Sequence, residues 1–332
     1  MKFSIIPYDA ETGAETLMEP WPLLVDKAFC LKNNSRPGET VFFFDSAPLD
    51  RAAGNTVPVV VLIHGLGDEA DTWRHLIPLL NSWGCRALAL DLPGFGRSAA
   101  PGKISFKNHV VAVLRLIKAV VQGPEQGVVP PVFLVGNSMG AVIAEEVALK
   151  MPDIVRGIIL LDGSIPGGPA NPGLLVLARL LFTRGWYRSY RDDPERAWGS
   201  LYPYYANIES MPPLDREFLR RRVMARVISP AQERAFFASQ QSLVWVTITA
   251  LSRFSRKIPK FKGKITLIWG DKDKIVPVSS TVPFRALRND IELHLIPGAG
   301  HLPHQEKPEE CARLIADFVN NCLSTKKNVK PS

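Results

Sequence analysis

The chain has few cysteines and no hydrophobic run long enough to span a membrane. Its four cysteines among 332 residues show no C-x-x-C spacing, which argues against a disulfide framework or a cysteine metal site and predicts buried thiols in a reducing compartment. Residues 1–9 are too short and too polar for the apolar region of a signal peptide. No apolar stretch reaches the length that a membrane helix needs. We therefore expect a cytoplasmic protein without an integral membrane segment.

The net charge of +8 is concentrated in one part of the chain. Residues 165–260 contain 15 Arg and Lys against 7 Asp and Glu, so the remainder is neutral on balance. This basic segment has neither a recognition-helix motif nor the aromatic spacing that nucleic-acid binding uses. We therefore expect no nucleic-acid partner.

Strand and helix patterns alternate along most of the chain, which favours a mostly parallel sheet with helices on both faces. Residues 23–31 and 40–44 flank a turn-rich segment and predict an antiparallel hairpin at the start. Apolar runs predict further strands at residues 59–64, 86–90, 132–135, 157–161, 264–269 and 291–296. Apolar residues at helical spacing predict helices at residues 72–83, 106–121, 141–149, 282–288 and 308–322.

The alternation stops between residues 164 and 260. This stretch is rich in aromatic residues and arginine, and its pattern is helical with no strong strand. We interpret it as a helical cap inserted into an α/β core. The predicted domains are a core of residues 1–164 and 261–332 and a cap of residues 165–260, and the length of the chain fits a core plus an insertion.

The segment G-N-S-M-G at residues 136–140 lies between an apolar strand and a helix. A G-x-S-x-G in this setting holds a serine on a tight, strained turn, because side chains two positions before or after the serine would collide with neighbouring atoms. The N-terminus of the following helix favours negative charge near the serine. Ser138 is therefore a candidate nucleophile.

A nucleophilic serine needs a base, and the chain has only six histidines. His64 ends a strand, where we expect its backbone to matter more than its ring. His301 follows a predicted strand after a glycine-rich loop, which allows its ring to reach over the sheet edge, so we predict it as the base. His304 is expected to be a loop residue or to support the site, and its H-x-x-H spacing lacks the fixed helical face of a metal site. The remaining three lie within predicted helices or strands: His75, His109 and His294.

The acid that orients the histidine is expected after another strand end. Asp271 and Asp273 follow the strand at residues 264–269, and Asp162 follows the strand at residues 157–161. Asp271 and Asp273 are also suited to turns and helix caps. Strand position alone leaves all three as candidates.

The order Ser138, an aspartate and then His301, each after a predicted strand, resembles the α/β-hydrolase superfamily. Further segments resemble its motifs: H-G-L-G at 64–67, D-L-P-G-F-G-R-S at 91–98, W-G-D-K-D-K-I-V-P at 269–277 and G-H-L-P at 300–303. The resemblance covers nearly the whole chain outside the cap and implies the α/β-hydrolase fold. By the family's spacing, it implies Asp273 as the acid of a triad with Ser138 and His301. It also implies the backbone N–H groups of Leu66 and Met139 as oxyanion donors, with no metal or organic cofactor.

A serine nucleophile predicts acyl transfer, whereas epoxide hydrolases and haloalkane dehalogenases of this fold attack through an aspartate. We expect a serine hydrolase that cleaves a carboxylic ester with a small or medium apolar acyl group through an acyl-enzyme intermediate. One alternative is carbon–carbon bond hydrolysis of meta-cleavage products, whose enzymes the elbow also resembles. Ala141 and Leu302 stand where those enzymes usually carry glycine and tryptophan. The other alternative is a ligand-binding receptor that retains the triad.

Bulky aromatic residues in the cap predict an apolar pocket for a small-molecule substrate. Trp186, Tyr187 and Trp245 are candidates for its lining. Five arginines share one helical pattern: Arg216, Arg220, Arg221, Arg222 and Arg226. They form either a solvated helix face or a surface for an anionic substrate tail or an acidic membrane. The sequence leaves the oligomeric state open.

Overall fold

A single mixed sheet determines where the candidate site lies. The computed structural model describes residues 3–8, 20–35, 38–46, 57–99, 102–121, 129–164 and 183–324. Within these ranges nine strands form a sheet in the order β1-β2-β3-β5-β4-β6-β7-β8-β9. The strands are β1 (Phe3–Pro7), β2 (Ala28–Asn33), β3 (Thr40–Asp45), β4 (Val59–Ile63), β5 (Arg86–Leu90), β6 (Val132–Asn137), β7 (Val155–Leu161), β8 (Lys264–Gly270) and β9 (Glu292–Ile296).

The sheet is antiparallel at its N-terminal edge and parallel elsewhere. Strands β1, β2 and β3 pair antiparallel, and β3 also pairs antiparallel with β5. Every pairing from β5 across to β9 is parallel. Parallel strands end at the same edge of a sheet, so the loops after β4, β6, β7, β8 and β9 meet there. Each candidate catalytic residue lies in one of these loops.

Helices cover both faces of the sheet, as the alternation predicts. Helices α2 and α3 pack on one face, and α1 and α10 pack on the other. The central strand β4 is buried along its whole length, which explains its unbroken run of branched apolar residues. The described helices are α1 (Leu76–Ser82), α2 (Phe106–Val121), α3 (Met139–Lys150), α4 (Arg184–Arg188), α5 (Pro194–Gly199), α6 (Pro213–Ile228), α7 (Pro230–Lys257), α8 (Thr281–Arg285), α9 (Pro303–Glu306) and α10 (Pro308–Ser324).

The sequence prediction differs from the structure mainly at the N-terminal edge. The hairpin is present as β2 and β3, but Pro22–Lys27 forms a 3-10 helix, so the predicted strand start at residue 23 is wrong. Leu23 is 80% exposed and contributes nothing to a buried strand face. Strand β1 was not predicted, because a partly exposed edge strand of five residues carries little periodic signal. The helix predicted at 72–83 is split into a 3-10 turn, Ala70–Trp73, and α1.

The described secondary-structure elements between β7 and β8 are all helices. Helices α4 to α7 lie in residues 183–260, which we call the helical segment, and this segment contains no β-strand. Residues 165–182 of the predicted cap lie outside the described residues, so the division into core and cap domains stays a prediction. Among the helices in the described ranges we find no candidate for a membrane-spanning segment.

Candidate active site

Ser138 occupies a strained turn between β6 and α3. Its backbone has φ 55° and ψ −118°, a conformation that side-chain-bearing residues rarely adopt. A Cβ on Gly136 would collide with the carbonyl of Gly140, and a Cβ on Gly140 would collide with the carbonyl of Ile63. The two glycines of the motif therefore allow the backbone to approach itself and β4. The turn leaves Ser138 partly exposed at the edge of the sheet.

The loop after β4 lies directly beside the serine. A Cβ on Gly65 would lie 3.3 Å from the Cβ of Ser138. Leu66 directly follows Gly65 in the sequence, so its backbone belongs to the segment beside the nucleophile. Met139 is the first residue of α3, and the N–H of a first helical residue has no intrahelical acceptor. The two predicted oxyanion donors therefore belong to segments that flank Ser138.

The ring of His64 joins two loops of the site, whereas the sequence led us to expect that its backbone would matter more than its ring. Nε2 accepts a hydrogen bond from the N–H of Leu92 at 2.9 Å, and Nδ1 lies 2.7 Å from the carbonyl oxygen of Gly65. Because an amide N–H can only donate, Nε2 carries no proton and Nδ1–H donates to Gly65. Burial lowers the pKa of His64, which favours this neutral ring. The ring thus fixes the loop that contains Leu66.

Asp273 is the candidate acid that contacts His301. Nδ1 of His301 lies 2.8 Å from Oδ2 of Asp273, and both side chains are buried. Oδ1 of Asp273 accepts hydrogen bonds from the N–H groups of Ile275 and Val276. Asp271 is exposed and instead accepts from the N–H of Gly298 at 2.7 Å. Since a carboxylate can only accept, Nδ1 of His301 donates its proton to Asp273 and leaves Nε2 as the basic nitrogen.

Asn137 joins the serine turn to the histidine loop. Its Nδ2 donates to the carbonyl oxygen of His301 at 3.0 Å and to that of Leu161 at 3.3 Å. Asn137 is buried, so these hydrogen bonds are not weakened by competition with water. The residue immediately before Ser138 therefore fixes the position of His301 relative to the turn.

His304 packs against the 3-10 turn Ala70–Trp73 that precedes α1. Its Nε2 lies 2.9 Å from Oγ1 of Thr72, and its ring stacks on Trp73 at 4.1 Å. It is completely buried, and burial holds its pKa well below the usual value. His304 lies in helix α9 and not in a loop, and a supporting role for it in the site stays a prediction.

Asp162 lies next to the Asp273–His301 pair. It follows β7 directly. One possible metal-ligand atom from each of Asp162, Asp273 and His301 lies within 4.8 Å of the other two. Within the described ranges this is the one group of three His, Cys, Asp or Glu residues arranged in this way. Nδ1 of His301 is already engaged by Asp273, and Oδ1 of Asp162 accepts from the N–H of Gly270. Two of the atoms that a metal could bind are therefore already engaged in hydrogen bonds, so we do not assign the group to a metal.

The helical segment contacts the histidine loop through its backbone. The N–H of His301 donates to the carbonyl oxygen of Tyr204 at 2.8 Å, and the two rings lie 5.9 Å apart. Glu306 accepts from the N–H groups of Ala206 and Gly300 at 2.9 and 2.6 Å. The contacts of Tyr204 with His301 and of Ala206 with Glu306 were not predicted from the sequence, because each joins positions about 100 residues apart.

The five arginines of α6 all form ion pairs with carboxylates. Arg222 is buried and pairs with Glu69 and Asp71, and Arg226 pairs with Asp68 and Glu69. The prediction of a solvated face is therefore wrong for Arg222 and Arg226, because they cross from α6 to the loop after β4. The remaining pairs are more exposed: Arg216–Glu209, Arg220–Glu195 and Arg221–Glu217.

The three aromatic candidates for the substrate pocket occupy different surroundings. Tyr187 is buried and packs against Phe236, whose ring lies about 3 Å from where a Cβ on Gly67 would be. Trp186 is half-buried against Tyr190. Trp245 is 57% exposed and lines a groove of about 1520 Å³ between α2 and α7 whose described lining does not include Ser138. Tyr187 is thus the candidate with a packing connection to the loop after β4, and the role of all three stays a prediction.

Fold and motifs together define the class of this protein. The sequence profile of the Alpha/beta hydrolase family matches residues 60–314, so the chain belongs to that family. This agrees with the fold that the motifs implied.

Individual relatives differ in what they hydrolyse. The chain is 28% identical over 270 residues to the pimeloyl-[acyl-carrier protein] methyl ester esterase of Methylococcus capsulatus, covering 79% of this chain and 94% of that protein. It is 24% identical over 270 residues to a 2-hydroxy-6-oxononadienedioate/2-hydroxy-6-oxononatrienedioate hydrolase of a Pseudomonas species, covering 80% and 89%. A solved bacterial membrane phospholipase A is 23% identical with a TM-score of 0.67, covering 91% of this chain and 87% of that chain. At that identity the structural likeness shows the fold alone.

Proposed function

We propose that the protein is a serine hydrolase that cleaves a carboxylic ester through an acyl-enzyme intermediate. Ser138 is the nucleophile, His301 the general base and Asp273 the residue that orients the histidine. The observation that carries the proposal is the 2.8 Å contact between His301 Nδ1 and Asp273 Oδ2, in a site whose serine lies on a strained, partly exposed turn. Membership of a hydrolase family supports the same conclusion.

The proposed chemistry divides among these groups in the usual way for acyl transfer. Nε2 of His301 removes the proton of the Ser138 hydroxyl as Oγ attacks the ester carbonyl, and it later returns that proton to the leaving alcohol. Asp273 fixes the tautomer of His301 and stabilises the imidazolium. The backbone N–H groups of Leu66 and Met139 bind the oxyanion, where the loss of one donor typically costs about 100- to 1,000-fold in rate. Water then attacks the acyl-enzyme with His301 as base.

The proposed substrate is an ester with a small or medium apolar acyl group. We assign the helical segment to a cap over the site, because Tyr204 and Glu306 join it to the histidine loop and Tyr187 packs against Phe236 above Gly67. Apolar and aromatic walls with few polar groups suit an apolar ligand. The ion pairs of Arg222 and Arg226 engage both side chains with the core, which disfavours these two arginines as binders of an anionic substrate tail.

Carbon–carbon bond hydrolysis is the second candidate. The 24% identity to the Pseudomonas hydrolase supports it, and the same triad could serve either reaction. The side chain that follows His301 argues against it, since Leu302 replaces the tryptophan that the meta-cleavage enzymes usually carry. A receptor that binds its ligand without turnover is the third candidate. An activity measurement distinguishes it from the two hydrolases.

Turnover of p-nitrophenyl esters of increasing acyl length tests the proposal, with Ser138→Ala as the matched control. We expect hydrolysis by the wild-type protein that prefers short or medium chains and is abolished by the substitution. A chromogenic dienone of the meta-cleavage type is assayed in parallel. Turnover of the dienone alone would replace the ester proposal with the second candidate, and turnover of neither substrate class would favour the receptor.

A further inference from the structure

Asp162 is a fully buried acid that the proposed reaction does not use. It lies at the end of β7, beside β8, and its side chain is 0% exposed. Its φ of 48° falls in the left-handed region, which non-glycine residues adopt at a cost. A charged residue in a strained backbone position inside the core needs a compensating interaction.

The hydrogen bonds of the two carboxyl groups can be accounted for oxygen by oxygen. Asp273 accepts three: from Ile275 and Val276 at Oδ1 and from His301 at Oδ2. Oδ1 of Asp162 accepts from the N–H of Gly270 at 2.9 Å. Oδ2 of Asp162 is buried, with no hydrogen-bond partner within the described ranges when both acids are treated as acceptors. One proton on Asp162 resolves this, because Oδ2–H can then donate to Asp273.

The surrounding charges favour this protonated form. Burial, and then the neighbouring Asp273, raise the pKa of Asp162 well above its usual value. Within the described part of the chain, Glu306 from α9 and the Cys311 thiol from α10 also interact electrostatically with Asp162, and neither supplies a positive charge. His301 is the nearby group that can become cationic, and it contacts Asp273. Two carboxyl groups this close in a buried site share one proton more readily than they carry two charges.

We propose that Asp162 is a protonated carboxylic acid that donates a hydrogen bond to Asp273 and thereby positions that carboxylate for His301. This inference rests on the proposed function, since it concerns the same triad. Asp162 is a positioning residue that acts through Asp273. Its hydrogen bond fixes the plane of the Asp273 carboxylate and withdraws charge from it, which keeps the proton of the Asp273–His301 hydrogen bond on the imidazole.

Two substitutions at one position separate this role from others. Asp162→Asn keeps an oxygen for the N–H of Gly270 and supplies an N–H donor to Asp273, and asparagine tolerates the left-handed conformation. Asp162→Gly also tolerates that conformation but removes the donor. We expect Asp162→Asn to retain kcat/KM within about threefold, and Asp162→Gly to lose roughly 10- to 100-fold, the usual effect of removing a hydrogen bond to a charged group.

A pH profile reports the positioning role directly. Without the donor, Asp273 carries more negative charge and stabilises the imidazolium of His301. The acidic limb of kcat/KM in Asp162→Gly should therefore move to higher pH, and the downfield proton resonance of His301 Nδ1–H should shift, whereas both stay near wild type in Asp162→Asn. Thermal unfolding of both variants confirms that they are folded under the assay conditions.

The outcomes are distinct. A large loss in Asp162→Asn, comparable with that of Asp273→Asn, would overturn the inference and indicate that an ionised Asp162 takes part in the chemistry. Wild-type activity with an unshifted pH profile in a folded Asp162→Gly would show that the acid has no positioning role. Failure of the proposed function itself appears separately, as ester turnover that survives Ser138→Ala.

Discussion

Arg222 and Glu69 form a buried ion pair that joins helix α6 to the loop after β4. Nε of Arg222 lies 2.9 Å from Oε1 of Glu69, and the two side chains are 4% and 1% exposed. Burial alone would raise the pKa of Glu69, but Arg222 and Arg226 lower it overall. The loop that this pair holds contains Leu66, the proposed oxyanion donor. The ion pair therefore couples the position of the helical segment to the candidate active site.

Substitution of Arg222 tests the strength of that connection. Arg222→Ala leaves Glu69 and Asp71 buried with one fewer cation, so we expect the free energy of unfolding to fall by about 3–5 kcal/mol. Arg221→Ala is the matched control on the same helix, because Arg221 and Glu217 are 64% and 63% exposed, and its effect should stay within about 0.5 kcal/mol. Denaturant unfolding measures the free energy of unfolding of both variants. Equal losses would contradict the assignment of Arg222 and Glu69 to a buried, stabilising ion pair.

The same pair makes a contribution to stability that depends on pH. Glu69 has a lower pKa in the folded protein than its reference value of 4.5, so the unfolded chain binds a proton first as the pH falls. The contribution is fully present above about pH 4.5 and is lost progressively below it. In Arg222→Ala this part of the acid destabilisation should be smaller than in the wild-type protein. An identical slope of unfolding free energy against pH between pH 5 and 3 would be evidence against the coupling.

The buried ring of His109 should cause a second loss of stability, at a higher pH than that of Glu69. Its Nε2 lies 2.7 Å from Oγ of Ser239 on α7, and burial lowers its pKa from 6.5 to about 3. The unfolded chain therefore takes up a proton below about pH 6.5 that the folded protein does not bind until about pH 3. Stability contributed by the neutral ring is complete above that window and falls by about 2 kcal/mol between pH 7 and 5.

His109→Gln should remove most of this dependence on pH. The difference in free energy of unfolding between pH 7 and pH 5 should shrink by about 2 kcal/mol relative to wild type. His294→Gln, at a side chain that is 37% exposed, serves as the control and should leave the difference nearly unchanged. If the difference in free energy of unfolding between pH 7 and pH 5 is the same in the two variants, the assignment of a buried, neutral ring to His109 is wrong.

The choice of Asp273 over Asp271 is tested by exchanging each for asparagine. Asp273→Asn removes the acceptor that fixes the tautomer of His301, so kcat/KM for a p-nitrophenyl ester should fall by about 10⁴-fold, as in other serine triads. Asp271→Asn should change it by less than about threefold, because Asp271 is exposed and contacts Gly298 and Lys272. A larger loss in Asp271→Asn than in Asp273→Asn would reverse the assignment.

The sequence allowed prediction of those parts of the site that depend on local chemistry. The glycines around Ser138 and the strand before it are enough to predict the turn, and elimination among six histidines leads to His301. Asp273 could not be separated from Asp162 and Asp271 by strand position alone and needed the resemblance to a family. In the structure Asp273 contacts His301, and Asp162 lies next to this pair because the strands that precede the two aspartates, β7 and β8, are neighbours in the sheet.

Contacts between distant segments could not be predicted in this way. The pairing of Arg222 with Glu69 joins positions 153 residues apart, and charge patterning along α6 is the same for a solvated arginine as for a buried one. The contact of Tyr204 with His301 uses a backbone carbonyl, which leaves no mark in the side-chain sequence. Both depend on how the helical segment packs on the sheet, which local periodicity does not specify.

Covalent labelling with a fluorophosphonate tests the central claim that Ser138 is an activated nucleophile. The wild-type protein should gain one phosphonyl group, located on the peptide that contains Ser138 by mass spectrometry, and ester turnover should fall in proportion to labelling. Ser138→Ala should remain unlabelled while it unfolds at the same temperature as wild type. Absence of labelling in the wild-type protein, or labelling that persists in Ser138→Ala, would contradict the proposed serine mechanism.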